Sequence, residues 1–396
     1  MVKRKYCILA CVISASIPNG VLYAQSAEYS HDASIAGGYN SNVYRAPESN
    51  YIDWGKNPSV AIAPNVQSGF FTKLDYKLEG LYSLNKKTAI LGGAKFGGTF
   101  YLDSDLTNAN QTKYTLDFGA KHILSGKKYR VQTIKGAAII DSVDKTYYDR
   151  DTGLEKTAGV TDVADRFSYR GTGVELEYKN KTDKTFRYGG DISIGSRDYT
   201  DTIANSQMDY SYVVLGADMK YQLQKSTALS VGVSREVQDY DERPSRDING
   251  RLFTRHPALE YTYLTLSVGV VRKINSWTLY GDYKNITRDD GWVNYNDYTA
   301  HKFKLRAIHK AGNIRTKFSL SKQSRDYPNA LAFDKLVDGV SVNKTFDTTS
   351  LSLSSGLQQT KHRSLWGKVA YADTDTNDLR YKYDRFILSV GYRWKY

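Results

Sequence analysis

Cysteine is nearly absent from this chain of 396 residues, and the two present, Cys7 and Cys11, both fall in the first eleven positions. The remainder has no thiol, which excludes a disulfide framework and any thiolate metal site. Proline is scarce at 7 residues, and no segment beyond the N-terminus approaches eighteen consecutive apolar residues, so helical membrane spans are not expected. Hydrophobic residues make up only 40%, below the usual share for a globular protein. Aromatics nevertheless reach 13%, with 33 tyrosines and 31 glycines, which excludes a disordered composition. That balance suits a sheet with one polar and one apolar face. The net charge of +13 would ordinarily point to nucleic acid, but the N-terminus argues against that partner.

Residues 1–26 read as a secretory signal. Lys3, Arg4 and Lys5 form a positive start, Cys7 to Ile17 is apolar, Pro18 and Gly20 break the run, and Ala24 and Ser26 offer cleavage sites. Ile8-Leu9-Ala10-Cys11 has the order of a lipoprotein box, but almost no apolar segment precedes its cysteine. One mature domain, 27–396, then remains. It has no thiol, and losing three cations lowers its net charge from +13 to +10. A thiol-free chain suits export through an oxidising compartment.

Segments of about ten residues alternate apolar and polar, the period of a strand with two different faces. Leu74, Tyr76, Leu78 and Tyr82 alternate with Lys73, Asp75, Lys77 and Glu79. Tyr114, Leu116 and Phe118 alternate with Asp117 and Lys121, and Phe186, Tyr188, Ile192 and Ile194 with Arg187, Asp191 and Ser193. At the C-terminus Phe386, Leu388, Val390, Tyr392, Trp394 and Tyr396 share one face, and only Ile387 breaks the pattern. A soluble sandwich would also alternate, so the connections decide. They run long and short in turn: 44–66, 85–87, 103–112, 125–128, 141–166, 180–184, 199–207, 224–226, 236–256, 274–276, 288–297, 310–313, 325–345, 359–364 and 374–380. The expectation is an all-β, antiparallel up-and-down transmembrane barrel of about sixteen strands, with short periplasmic turns and long external loops. Arg197-Asp198-Tyr199, Gln238-Asp239-Tyr240 and Arg325-Asp326-Tyr327 each close an upward strand, which predicts tyrosines in a membrane-boundary girdle.

The ending Gly391-Tyr392-Arg393-Trp394-Lys395-Tyr396, with apolar residues at every second position before it, resembles the terminal assembly signal of bacterial outer-membrane β-barrels. That resemblance implies residence in the outer membrane after signal-directed export, contact with its lipids and lipopolysaccharide, and recognition by the barrel-insertion machinery. Sixteen strands are similar to the general diffusion porins, which implies a homotrimer and a third external loop folded into the lumen. The third long connection carries Asp149, Asp151, Glu155 and Asp162 as constriction-loop candidates.

The sharpest candidate site is a basic ladder. Lys302, Lys304 and Arg306 face inward on one strand, and Arg315 and Lys317 on the next. A symmetric turn at 311–313 would set Arg306 against Arg315 and Lys304 against Lys317, with Ser350, Ser352 and Ser354 beside them. Such a wall favours anions in a narrow lumen. A hydrated wall without selectivity is the plainer reading, and acids such as Asp282 would reach in. Lysines also gather at the short turns, among them Lys86, Lys87, Lys127, Lys128, Lys225 and Lys310, where they would meet anionic headgroups.

Asp149-Arg150-Asp151-Thr152-Gly153 and Asp289-Asp290-Gly291 lack the ligand series of a calcium loop, so no metal and no cofactor are expected. His122, His301 and His309 fall on lipid-facing positions, and His256 lies in a loop without a recognisable spacing to its acids, so no catalytic residues and no enzyme are expected. Two functions stay open. One is a porin-like channel for passive diffusion of small solutes with a preference for anions. The other is a non-conducting barrel acting as envelope scaffold, surface receptor or accessory to polysaccharide or lipoprotein export.

Overall fold

A strand that alternates apolar and polar residues is stable where its two faces meet two different surroundings. Sixteen such strands make up the computed structural model, which describes residues 27–52, 59–127, 130–158, 161–200, 208–337 and 340–396. The expected signal segment, 1–26, and Lys128 lie outside these residues. The strands are β1 (Ala27–Asn40), β2 (Gly69–Ser83), β3 (Thr88–Tyr101), β4 (Gln111–Lys127), β5 (Arg130–Lys145), β6 (Tyr169–Lys181), β7 (Phe186–Tyr199) and β8 (Tyr210–Gln224). They continue as β9 (Thr227–Pro244), β10 (Ala258–Ile274), β11 (Trp277–Asp290), β12 (Tyr298–Ala311), β13 (Ile314–Val337), β14 (Val340–Thr360), β15 (Arg363–Thr376) and β16 (Tyr383–Lys395). Each runs antiparallel to its chain neighbours, and β1 pairs with β16 to close the ring. Closure pairs both edges of every strand, which is what a sheet needs in hydrocarbon.

The outer surface shows what surrounds it. Around the ring Phe118, Val174, Leu215, Leu266, Leu305, Leu353 and Val390 are exposed, from 50% at Leu215 and Leu266 to 66% at Phe118. Their sequence neighbours point into the lumen and are mostly polar or glycine, Val214 excepted. A soluble protein does not leave such a continuous apolar belt bare, whereas lipid covers it. No helix among the described residues is long and apolar enough to cross a membrane, and the strands do the crossing.

Long and short connections alternate as expected, with differences at the loop end. Strand β9 runs on to Pro244, and β13 and β14 stay paired as far as Val337 and Val340. The segment expected as a loop over 325–345 is therefore a hairpin projecting beyond the barrel, with register shifts after Asp326 and Leu331.

Three loops interlock over one side of the mouth. Tyr44, from the loop after β1, is wholly buried with Val43 and Leu106. Its hydroxyl donates to the Asp105 carbonyl at 2.9 Å, and its ring meets Tyr148 edge-on at 4.7 Å. Burial, with Tyr148 and Tyr101 nearby, pushes the Tyr44 hydroxyl up to about 12, so it remains a donor at any ordinary pH.

Candidate functional site

The ladder residues all face the lumen, but not in the expected register. The turn after β12 is Gly312-Asn313, tight enough that Ala311 pairs with Ile314 and Lys310 with Arg315. Gly312 takes φ +57°, the left-handed conformation such a two-residue turn requires. Arg306 therefore stands opposite Ser319 and Lys304 opposite Ser321, not opposite Arg315 and Lys317. On the other side Lys304 faces Asp282, and the Arg306 guanidinium lies 4.0 Å from the Tyr280 ring centroid. The stagger removes the two expected like-charge pairs but leaves Lys310 opposite Arg315, and Lys302 stands opposite Lys284. Lys317 lies within electrostatic reach of Arg306, Lys304, Lys368 and Arg315.

Lys368 on β15 and Arg385 on β16 extend this wall. They line a cavity of about 320 Å³ with Lys302, Lys304, Ser350 and Ser352. The inward positions of β12 (298–310), β13 (315–327), β14 (344–358), β15 (364–376) and β16 (385–395) hold no acid. Acids occur across the lumen, eight strands away: Glu175 and Glu177 on β6, Asp191 on β7 and Asp218 on β8. Glu177 faces Asp191 in register and pairs with Lys179. Acids also adjoin the wall: Asp32 on β1 binds Arg393, Asp75 on β2 lines a cavity with Arg315, Lys317 and Lys368, and Asp282 lies opposite Lys304.

Above the ladder, at the loop end, lies a second cavity of about 610 Å³ that sequence reasoning did not foresee. Arg243, Arg288 and Arg325 reach it from β9, β11 and β13, and Lys344 from β14. Arg45, Arg150, Arg246 and Arg380 reach it from four different loops. No acid lines it. Arg45 holds φ +58°, an uncommon conformation for a non-glycine residue. Burial pulls the Arg246 guanidinium below the ordinary arginine value, against the opposing effect of Tyr295. Behind the wall the fully buried Asp378 binds Arg380 and Lys344. Burial opposes its ionisation, but Arg380 and Lys344 hold its carboxyl below the ordinary value.

Tyrosine rings hold these guanidiniums in place. Arg288 lies 4.3 Å from the Tyr261 centroid and 4.5 Å from that of Tyr298. Arg325 lies 4.8 Å from Tyr298, and Arg150 4.8 Å from Tyr381. The rings belong to a series of neighbours along the inner wall, through Tyr199, Tyr210, Tyr240, Tyr261, Tyr263, Tyr298 and Tyr327 to Phe346. This corrects the expected girdle. Tyr199, Tyr240 and Tyr327 face the lumen, and in each triplet the aspartate between its neighbours faces outward. Strand parity forces this, because Phe318 and Leu320 on β13 face lipid, so odd-numbered positions there face in.

The constriction-loop candidates do not reach either cavity. Asp149 pairs with Lys156, Asp151 accepts from the Tyr51 hydroxyl at 2.7 Å, and Asp162 accepts from the Ala164 amide at 2.8 Å. Glu155 is exposed and bridges to Tyr148 through the backbone. The loop runs from 146 to 168 and sends Arg150, not an acid, to the mouth. The assembly-signal side chains lie on the lipid face of β16, with Phe386 and Val390 exposed and Tyr392 packed edge-on to Trp394 at 4.6 Å. Outward histidines stack on rings: His301 on Tyr283, and His309 on Trp277 at 4.5 Å. His256 packs on Trp292, and its Nδ1 lies 2.9 Å from the Ser245 carbonyl oxygen. Among the described residues no group of three or more metal-ligating side chains forms.

No family model matches the sequence, and no curated protein sequence matches it. Solved structures are similar in fold. A loop L8 deletion mutant of OmpT, an outer membrane protein of Vibrio cholerae, aligns over 94% of this chain and 100% of its own at 9% identity, with a TM-score of 0.49. The anion-selective porin from Comamonas acidovorans aligns over 94% and 99% at 12% identity, with a TM-score of 0.48. Salmonella typhi OmpF, in complex with daunomycin, aligns over 93% and 97% at 12% identity, with a TM-score of 0.48. On its own closure and its apolar outer band, this chain is a closed sixteen-stranded antiparallel β-barrel with a lipid-facing outer surface.

Proposed function

We propose that the barrel is a channel for passive diffusion of small solutes that prefers anions, and not an enzyme. One observation carries this reading: seven arginines and Lys344 line the mouth cavity, and no acid does. Below it the ladder continues the positive wall toward the turns, so an anion leaving the mouth meets Lys304, then Lys317. Fixed positive charge in a low-dielectric channel raises the local anion concentration and excludes cations. Export by the 1–26 signal, insertion through the β16 ending, contact with lipopolysaccharide and assembly as a trimer belong to the same reading.

The protein reconstituted in a planar bilayer under a potassium chloride gradient tests it. Discrete conductance steps with a reversal potential on the chloride side are expected. Equal or greater cation permeability would refute the preference. A non-conducting scaffold or receptor is the second reading, favoured by the interlocked loops around Tyr44 over part of the mouth. Absence of any conductance steps would support it.

A further inference from the structure

The eight cations of the mouth come from seven separate stretches of the chain, Arg243 and Arg246 alone being near neighbours in sequence. A run of basic sequence does not produce such convergence. Only long-range folding does, and it brings like charges together in a cavity of about 610 Å³ at an electrostatic cost. The buried Asp378 carboxylate behind them is already taken by Arg380 and Lys344.

We propose that this mouth is a receptor for multivalent oxyanions, small solutes bearing two or more carboxylate or phosphate groups, a step that deepens the channel reading above and rests on it only for its effect on current. The stacking supplies the chemistry. A guanidinium held over a tyrosine ring by cation–π attraction is fixed in place, and its remaining N–H groups can meet two oxygens of one carboxylate or phosphate. Arg288 is held this way between Tyr261 and Tyr298, and Arg325 shares the Tyr298 ring. Arg150 sits on Tyr381. The Nε and Nη2 of Arg288 already donate to the Asn296 carbonyl, which fixes that guanidinium further and leaves its Nη1 side to a ligand, so three guanidiniums are placed before any ligand arrives and much of the ordering cost of binding is removed. The Nε of Arg325 is buried without an acceptor, a donor that a ligand oxygen would satisfy after a small side-chain rotation. A monovalent ion can engage one guanidinium, but a multivalent one spans several.

Titration calorimetry on the full chain, folded in detergent micelles, tests this with inorganic tripolyphosphate, citrate and acetate at matched ionic strength. Saturable binding of tripolyphosphate or citrate at least ten-fold tighter than acetate is expected, and the first two separate phosphate from carboxylate as the preferred source. Arg288→Gln with Arg325→Gln should weaken binding by ten-fold or more. Tyr298→Leu should weaken it several-fold and Tyr298→Phe should restore it, because the ring and not the hydroxyl holds the guanidiniums. Should the variants fail to fold, phenylglyoxal modification of the wild-type chain reads the same site, and the tighter probe should protect Arg288 and Arg325. Absence of saturable binding, or binding indifferent to the double replacement, overturns the receptor. An anion-selective channel without saturable binding sinks the receptor alone, and saturable binding without conductance sinks the channel alone.

Discussion

Arg380 grips Asp378 with both arms of its guanidinium, Nε to Oδ1 at 2.7 Å and Nη2 to Oδ2 at 2.8 Å. Lys344 adds a third bond at 2.8 Å from a strand on the projecting hairpin. The carboxylate thus ties the 377–382 loop to β14 inside an otherwise cationic mouth. Its pKa is lowered from the ordinary 3.8, so its contribution to stability is complete above that value and lost as pH falls below it through the depressed one. Proteolytic nicking of the 377–382 loop should stay flat from neutral pH to about 4 and rise only at more acidic pH, where an acid-stable protease reads it. Asp378→Asn should open the loop at neutral pH too, because removing one partner of a buried ion pair costs about 3 kcal/mol. Equal nicking of variant and parent at neutral pH would remove the role assigned to Asp378.

Asp282 faces Lys304 across the β11–β12 ladder and offsets part of the basic wall. Asp282→Asn should therefore move the reversal potential further toward chloride. Lys304→Glu should move it toward potassium, by a larger amount, because it changes the wall by two charges. Both shifts should shrink in high salt, since screening shortens the reach of fixed charge.

Two glycines with positive φ should respond differently to alanine. At Gly312, φ +57°, nothing lies within 4 Å of an added Cβ, so Gly312→Ala should cost only the left-handed backbone strain, about 1 kcal/mol. At Gly153, φ +75°, the added Cβ would sit 2.3 Å from the buried ring of Tyr44. Gly153→Ala should therefore separate the interlocked loops as well, raising their hydrogen exchange while the barrel strands stay protected. Unchanged exchange at Tyr44 would show that the ring does not lock the loops.

Lipid and lumen faces can be separated by a pair of lysines. Leu305→Lys puts a charge on the lipid side near the middle of β12 and should cost about 2–4 kcal/mol in folding into vesicles. Ser352→Lys on β14 adds the same charge to the lumen, beside Lys368 and Lys302, and should cost less while increasing chloride preference. The reverse order of costs would invert the assignment of faces.

The barrel was legible in the sequence because a period of two and the rhythm of long and short connections are local signals. The inward direction of Lys302, Lys304, Arg306, Arg315 and Lys317 followed from the same parity. Parity also contained the lumenal position of Tyr199, Tyr240 and Tyr327: counting from Phe318 and Leu320 would have turned Tyr327 inward. The pairing of Arg306 was harder, since one residue more or less in the turn at Gly312 slides every partner along the strand. The mouth arginines were not legible at all. Arg45, Arg150, Arg246 and Arg380 lie in loops with no shared spacing, and only the packing of distant segments brings them together.

The seam between β1 and β16 governs how such a molecule can be made. Its register runs from Asp32 opposite Lys395 to Asn40 opposite Ile387, and Arg393 Nε donates to Asp32 Oδ1 at 2.6 Å across it. The first strand to emerge from synthesis must wait for the last before its outer edge finds a mate. Every partly built sheet on the way has two raw borders that would recruit other chains. Assembly is therefore obligatorily post-translational, and the unfinished polypeptide needs an escort that shields those borders until the final strand docks.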